Sequence, residues 1–129
     1  MLLIRLFDTS SVAIQDLILT VVRYREHALE RLQEKAERYA KLIGVGPYSV
    51  GIKTFKGGWG SCSTKGHVQF NWKVIIAPTH IVDYVVVHEL CHLRHHNHSP
   101  AYWNSVERVM PDYRECKDSL KRYGATLCL

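Results

Sequence analysis

The apolar run Ile81–Val87 leads directly into His88–His92 (HELCH), and this succession limits the possible folds more than any other feature of the chain. A helix that is apolar on nearly every side is typical of an element buried in the middle of a small domain. Buried imidazoles and carboxylates each need a partner, because an unpaired buried polar group costs on the order of a few kcal/mol. A shared metal ion satisfies all of them, so the sequence predicts a metal site on a buried helix.

The residue types in this motif are those of a zinc hydrolase. His88 and His92 are four residues apart, so both imidazoles project from nearly the same face of a helix and can converge on one ion. Glu89 lies one step round the helix, where its carboxylate can hold a water without binding the metal. Two imidazole ligands, a carboxylate and a position left open for water suit a zinc site. We therefore predict one zinc ion, with Glu89 as the catalytic general base.

The third metal ligand must come from outside this helix. His96 shares the helical face of His88, but their separation corresponds to about 12 Å along the axis, too far for one ion. The chain must therefore leave the helix and turn back. Asn97 tolerates the left-handed conformation that ends helices, and Ser99-Pro100 is typical of an N-cap followed by a first helical position.

His98 lies in this corner between two helices, directed back at the first two histidines, and is the predicted third metal ligand. Glu107 on the following helix is the second candidate, by analogy with zinc hydrolases that use a helical glutamate. His95 is the third candidate. It also has a plain structural interpretation, as a cation near a helix C-terminus where the dipole favours positive charge.

Composition bounds the class of protein. The chain has 129 residues, of which 47% are hydrophobic, and this suits one domain with one modest core. No apolar run reaches membrane-spanning length, and residues 1–7 do not read as a secretory signal, so we expect no membrane association and a cytoplasmic location. The scattered cysteines form no Cys-x-x-Cys pair, which favours a reducing compartment. The net charge of +5 permits, but does not require, a nucleic-acid partner.

Periodicity along the chain predicts an α+β domain. Residues 1–22 are interpreted as a separate, helical N-terminal segment with a helix start at Asp8–Ser11, and residues 23–129 as a single globular unit that begins with a helix. A three-stranded sheet, the buried metal-binding helix and two closing C-terminal helices follow. The strands are expected at Val50–Thr54, Trp59–Ser63 and His67–Trp72, with a hairpin turn between the last two.

Several blocks of residues, in the right order, resemble the YgjP-like metallopeptidase domain. The resemblance covers about residues 23–123 and rests on Trp59-Gly60-Ser61-Cys62, Phe70-Asn71-Trp72, Asp83–Leu93, Asn97-His98-Ser99, Trp103 and Met110-Pro111-Asp112-Tyr113. It implies a zincin-like fold, one zinc ion held by His88, His92 and His98, and Glu89 as catalytic base. It also implies kinship with the WLM and SprT-like proteases, which cleave protein crosslinked to DNA.

The sequence departs from the family pattern in two places. Family members carry an arginine before Trp-Gly-Ser-Cys, where this chain has Gly58, preceded by Gly57. If that arginine serves in substrate binding or strand packing, its contribution is missing here. Longer members also carry an N-terminal segment that this chain lacks or has replaced by residues 1–22.

Hydrolysis of a peptide or protein substrate is the predicted reaction. Glu89 takes a proton from the water that attacks the peptide carbonyl and returns it to the leaving amine. A second group must stabilise the developing oxyanion, and Tyr102, His95 and Arg94 are the candidates. The substrate is expected to lie extended along the edge of the small sheet, as an added strand.

Two other functions share the pattern. YbeY-type endoribonucleases resemble the spacing of the three histidines, and the charge of +5 suits RNA. Their second motif position is usually glycine, whereas this chain has Glu89, and this favours peptide hydrolysis because a protease needs a base beside the water. The third possibility is a non-catalytic domain that holds zinc for stability or for association with DNA.

Overall fold

In the computed structural model, which describes the backbone of residues 2–127 and the side chains of residues 12–124, helices surround a small sheet. The elements, in chain order, are α1 (Leu2–Ile43), β1 (Ser49–Lys53), β2 (Gly60–Cys62), β3 (His67–Asn71), a 3-10 turn (Trp72–Ile76), α2 (Thr79–Cys91), α3 (Pro100–Val109) and α4 (Tyr113–Leu127). The predicted α+β architecture is confirmed, including the sheet, the buried helix and the two closing helices.

Helix α1 is one continuous element of 42 residues. Its C-terminal half buries a stripe at helical spacing against the rest of the domain, whereas the side chains of residues 12–24 are exposed. The stripe consists of Ala28, Leu32, Ala36, Ala40 and Ile43. The predicted helix start at Asp8–Ser11 is wrong, because α1 already runs through these residues from Leu2, and their side chains lie outside the described part. Gly44, with φ of +84°, follows the last helical residue.

The sheet has the strand order β1-β3-β2, so β2 is an edge strand. Strand β3 pairs antiparallel with β2 and parallel with β1, where Val50 lies opposite Val68 and Ile52 opposite Phe70. Gly66, with φ of +91°, allows the tight turn between β2 and β3, and its amide donates to the Ser63 carbonyl over 3.0 Å. Strands β2 and β3 fall within the stretches expected from the sequence, and β1 begins and ends one residue earlier than expected.

Helix α2 crosses the middle of the domain, and nine of its thirteen side chains are buried. Lys35 of α1 donates to Asp83 of α2 over 2.7 Å, in a pair that is largely shielded from solvent. The helix ends at Cys91, earlier than the turn expected at Asn97. Residues 92–94 continue as a tighter turn in which each amide donates to the carbonyl three residues back, over 3.0–3.2 Å. The chain therefore leaves the helix axis soon enough to turn back on itself.

Helix α3 begins as the sequence predicts. Ser99 is its N-cap, with an Oγ that accepts from the Tyr102 amide over 3.3 Å, and Pro100 occupies the first helical position.

None of the helices, over the residues described, combines the length and the apolar character needed to cross a membrane.

Candidate metal centre

Three histidine side chains meet at the C-terminal end of α2. His88 and His92 lie one turn apart at the end of the helix, and His98 returns to them from the segment before α3. Each offers one ring nitrogen, and these nitrogens all lie within 4.8 Å of one another. The ring centroids are 4.7 to 5.2 Å apart. His88 and His92 are half-buried and His98 is exposed, so the cluster is open to solvent on one side.

Hydrogen bonds of the other ring nitrogens orient two of these imidazoles. The Nδ1 of His92 donates to the His95 carbonyl over 3.0 Å, because a carbonyl can only accept. The Nδ1 of His88 lies 3.3 Å from the hydroxyl oxygen of Tyr84, one helical turn earlier. Both contacts leave Nε2 of the ring available to a metal, and this is the usual way in which a protein fixes a metal-binding histidine.

Aromatic rings of α3 and α4 hold the cluster from behind. The ring of Tyr102 stacks on His92 at 4.6 Å, and its hydroxyl donates to the His88 carbonyl over 2.8 Å. Trp103 stacks on His98 at 5.7 Å and is itself stacked on Tyr113 at 5.2 Å. Exposed His98 is therefore held by ring contacts, although it lies on a connecting segment and not within a helix.

Glu89 lies beside the cluster and is 7% exposed. One of its carboxylate oxygens lies 4.0 Å from Nε2 of His88. Gly60 of the edge strand β2 makes this position possible, because a Cβ there would lie 2.9 Å from Cγ of Glu89 and 3.0 Å from the Gln69 carbonyl oxygen. The glycine thus lets strand and helix approach closely, so that the carboxylate packs between the sheet edge and the histidines.

Burial shapes the protonation of these groups. Desolvation raises the pKa of Glu89 to about 7. Desolvation, together with the neighbouring charges of His92, His98 and Lys117, lowers the pKa of His88 to about 4. The pKa of His92 is lowered as well, mainly by desolvation. Imidazoles that stay neutral at physiological pH are the form that binds a metal, and a carboxyl group with a pKa near neutrality is suited to proton transfer.

The cysteines near the site lack the character of nucleophiles. Burial raises the pKa of the Cys62 and Cys91 thiols to about 11 each, so both stay protonated at neutral pH. Cys116 is also buried, and Cys128 lies outside the described residues.

The remaining candidates from the sequence lie elsewhere or have other partners. Within the part of the chain described, the metal-binding group includes neither Glu107, which is exposed on α3, nor His95. Arg94 donates to the Gly44 carbonyl at the end of α1 over 3.1 Å. The Tyr102 hydroxyl donates its hydrogen bond to the His88 carbonyl. The structure gives the His95 side chain no hydrogen-bond partner among the residues it describes.

Sequence reasoning missed two neighbours of the cluster, Tyr84 and Trp103. Tyr84 precedes His88 by four residues, so its place on the same helical face was a signal that could have found it. Trp103 follows Tyr102, but its stacking on His98 depends on how α3 packs, and no local pattern reveals that. Gly58, which precedes Trp59-Gly60-Ser61-Cys62, has φ of +88°, a conformation that a side chain would strain.

The donor set fits a catalytic zinc site. Three imidazole nitrogens with no thiolate leave a fourth position for water or substrate, whereas structural zinc sites are usually closed by four protein ligands. The exposed side of the cluster provides access to that position. Fold and site together define an α+β metal-binding domain with a buried carboxylate beside the metal position, which is the general arrangement of a metallohydrolase.

The chain belongs to the YgjP-like metallopeptidase-domain family, whose model matches residues 14–123. A search of the curated proteins finds no significant match. Two crystal structures of metallopeptidase zymogens are similar in fold. Abylysin of Pyrococcus abyssi has a TM-score of 0.65 and 24% identity, over 71% of this chain and 93% of that one. Jannalysin of Methanocaldococcus jannaschii has a TM-score of 0.63 and 17% identity, over 71% of this chain and 95% of that one. Membership in a metallopeptidase family implies a catalytic metal.

Proposed function

We propose that the chain is a zinc-dependent peptidase in which His88, His92 and His98 hold one zinc ion and Glu89 is the general base. The observation that carries this proposal is the juxtaposition of three imidazole nitrogens within 4.8 Å of one another and a buried carboxylate beside them. Zinc, when bound, supplies a Lewis acid that polarises the peptide carbonyl and lowers the pKa of a water to about 7.

Glu89 carries the proton in this reaction. Its carboxylate accepts a proton from the attacking water and delivers it to the amine that leaves, and a pKa near neutrality suits both transfers. Burial against Gly60 holds the carboxylate in place, and among the residues described it has no hydrogen-bond partner, so it is free to bond with the water. The second position of the histidine motif is a glutamate in this chain, Glu89, and this favours peptide hydrolysis over the endoribonuclease alternative. No contact of the described residues favours RNA or DNA.

The edge strand β2 is where we place the substrate. Only one side of β2 pairs within the sheet, so the other can bond with an extended peptide. Gly60 of β2 lies against Glu89, so a peptide added at this edge passes beside the base. Of the three groups proposed to stabilise the oxyanion, His95 is the first to test, because Tyr102 and Arg94 already donate to backbone carbonyls. A cytoplasmic location remains our prediction.

The test combines metal analysis with cleavage assays on Glu89→Gln. We expect the purified parent to hold about one equivalent of zinc and to cleave unfolded protein in a chelator-sensitive manner. Glu89→Gln should keep the zinc and lose about 10²- to 10⁴-fold in rate, the usual contribution of a general base. Glu107→Gln, at an exposed glutamate of α3, is the matched control and should behave as the parent.

Three outcomes would contradict the proposal. A parent protein without metal would remove the zinc site, and undiminished cleavage by Glu89→Gln would remove the assigned base. Metal-dependent cleavage of RNA or single-stranded DNA, with unfolded protein left intact, would show that the site serves the nuclease alternative.

A further inference from the structure

A cavity of about 440 Å³ opens beside the metal centre, between α2, α4 and the edge strand β2. We call it the α2–α4 cavity. His88 and Glu89 form part of its lining, so its contents lie next to the proposed reaction. The other walls combine apolar and cationic side chains, namely Trp59, Tyr84, Val85, Leu120, Lys117 and Lys121.

Helix α4 places its two lysines on the cavity side. Lys117, Leu120, Lys121 and Gly124 all line the cavity and recur at intervals of three and four residues, so they share one face of the helix. The Nζ of Lys117 lies 4.5 Å from the centroid of the Trp103 ring, which itself stacks on His98. This contact keeps the Lys117 ammonium close to the metal centre.

Within the part of the chain that the structure describes, the two ammonium groups have no acidic partner. Among the residues described, no carboxylate lies within 4.0 Å of either lysine nitrogen, whereas Lys35 and Lys41 of α1 both form ion pairs. Glu89 is the acidic residue of the cavity lining, and we have proposed that it transfers a proton between the water and the leaving group. The cavity therefore presents an apolar wall with an excess of positive charge at its rim, which is complementary to a ligand with an apolar stem and a carboxylate.

We propose that the α2–α4 cavity binds a carboxylate of the substrate, held by Lys117 and Lys121, on the residue next to the peptide bond that is cleaved. The carboxylate can belong to an acidic side chain, glutamate above all, or to the C-terminus of the peptide. This inference rests on the proposed peptidase function and adds a substrate class to it. The CH₂ groups of a glutamate would pack on Trp59 and Leu120, while its charge would reach the lysines.

Matched peptides test the proposal on the zinc-loaded full chain. The set carries glutamate or glutamine at each position flanking the cleaved bond, and each peptide is made with a free or an amidated C-terminus. We expect kcat/KM to favour a carboxylate at one of these positions by about three- to tenfold at low salt, with the preference declining as salt rises. The free and amidated arms show whether side chain or chain end is recognised.

Two variants separate the cavity from general effects. Lys121→Glu should abolish or reverse the preference, because it replaces one of the two cations of the cavity by an anion. Lys117→Met should reduce the preference as well. Lys65→Met, at an exposed lysine in the β2–β3 turn, is the control and should retain the full preference.

The outcomes distinguish failure of the carboxylate site from failure of the proposed peptidase function. Equal kcat/KM for all matched peptides, or a preference that survives Lys121→Glu, would overturn the carboxylate site and leave the peptidase intact. If the zinc-loaded protein cleaves no peptide of the set and no unfolded protein, the proposed function fails, and the substrate class fails with it.

Discussion

Helix α2 and the first described side chains of α1, residues 12–24, are both rich in valine, isoleucine and leucine, yet they have opposite environments. Every valine, isoleucine and leucine of α2 is buried, whereas Leu17 is 64% exposed and Ile14 57%. Apolar composition alone therefore does not say where a helix lies. The difference is that α2 meets α1, the sheet, α3 and α4, while the first buried side chain of α1, among those described, is Ala28.

Burial of α2 also gives the site its chemistry. A carboxylate at the end of a solvent-exposed helix would keep an ordinary pKa, whereas Glu89 has a pKa of about 7 because the surrounding helices and β2 exclude water from it. The apolar residues before the motif are thus part of the reason that the motif can work.

Leu90→Ala and Leu17→Ala remove the same atoms from the two environments. Leu90 is 0% exposed, so its truncation should lower the free energy of unfolding by about 2–5 kcal/mol through lost burial and a cavity. Leu17→Ala should change it by less than about 0.5 kcal/mol. Urea denaturation measures both. Equal losses would mean that residues 12–24 are covered in solution, and the contrast would fail.

The sequence predicts the histidine cluster better than it predicts the helix ends and the packing around the cluster. Two histidines one helical turn apart depend only on helix geometry, and the bond length to a metal excludes His96 whatever the tertiary structure. The end of α2 at Cys91 was missed, because His92–His96 contains no glycine or proline to mark it. The His88–His92–His98 cluster does not depend on that error, since the early turn also returns His98 to the helix.

Features that depend on long-range packing were beyond the sequence. The parallel pairing of β1 with β3 joins segments with β2 between them, and no local pattern specifies that order. The unbroken course of α1 is hidden by Asp8–Ser11, whose composition suits a helix start but which the helix incorporates. The lysines of α4 face the site only because α4 packs on α2, so their role could not be predicted from charge.

The burial of Glu89 predicts a dependence of stability on pH in the metal-free protein. Between pH 4.5 and about 7 the unfolded state has lost the Glu89 proton while the folded state retains it, so this group lowers stability as pH rises. His88 acts in the opposite sense between about pH 4 and 6.5, because its pKa is lowered by folding.

Glu89→Gln removes the contribution of Glu89 to the pH dependence of stability and leaves that of His88. From pH 4.5 to 7 the variant should therefore gain about 2–3 kcal/mol in unfolding free energy relative to the parent, at 1.36 kcal/mol per unit of pKa shift. Denaturation in the presence of chelator at several pH values measures this, with Glu107→Gln as the exposed counterpart. A constant difference between variant and parent would contradict the desolvation of Glu89.

Gly60→Ala tests the close approach of β2 to α2. The new methyl would lie 2.9 Å from Cγ of Glu89 and 3.0 Å from the Gln69 carbonyl oxygen, and overpacking of this kind costs about 1–3 kcal/mol. Activity should fall by more than the stability loss explains, because the methyl displaces the proposed base. Gly46→Ala is the control, since nothing lies within 4 Å of its Cβ position. Full activity of Gly60→Ala would show that the base tolerates displacement.

The two ion pairs of α1 provide the smallest test of the contrast between buried and exposed surfaces. Lys35 reaches Asp83 of α2 over 2.7 Å with both side chains mostly covered, whereas the exposed Lys41 lies 3.7 Å from Glu37 on the same helix. Lys35→Met leaves the shielded Asp83 without its cation, with the Tyr39 hydroxyl as its remaining partner, and should cost about 1–3 kcal/mol. Lys41→Met should cost no more than about 0.5 kcal/mol.

High salt distinguishes the two pairs further. The Lys41 pair should vanish with screening, because exposed charges interact through water, while much of the Lys35 effect should persist. Urea denaturation of both variants at low and high salt measures this. If Lys35→Met cost no more than Lys41→Met, the pair between Lys35 and Asp83 would contribute nothing to stability. The contact between α1 and α2 would then be stabilised by apolar side chains alone.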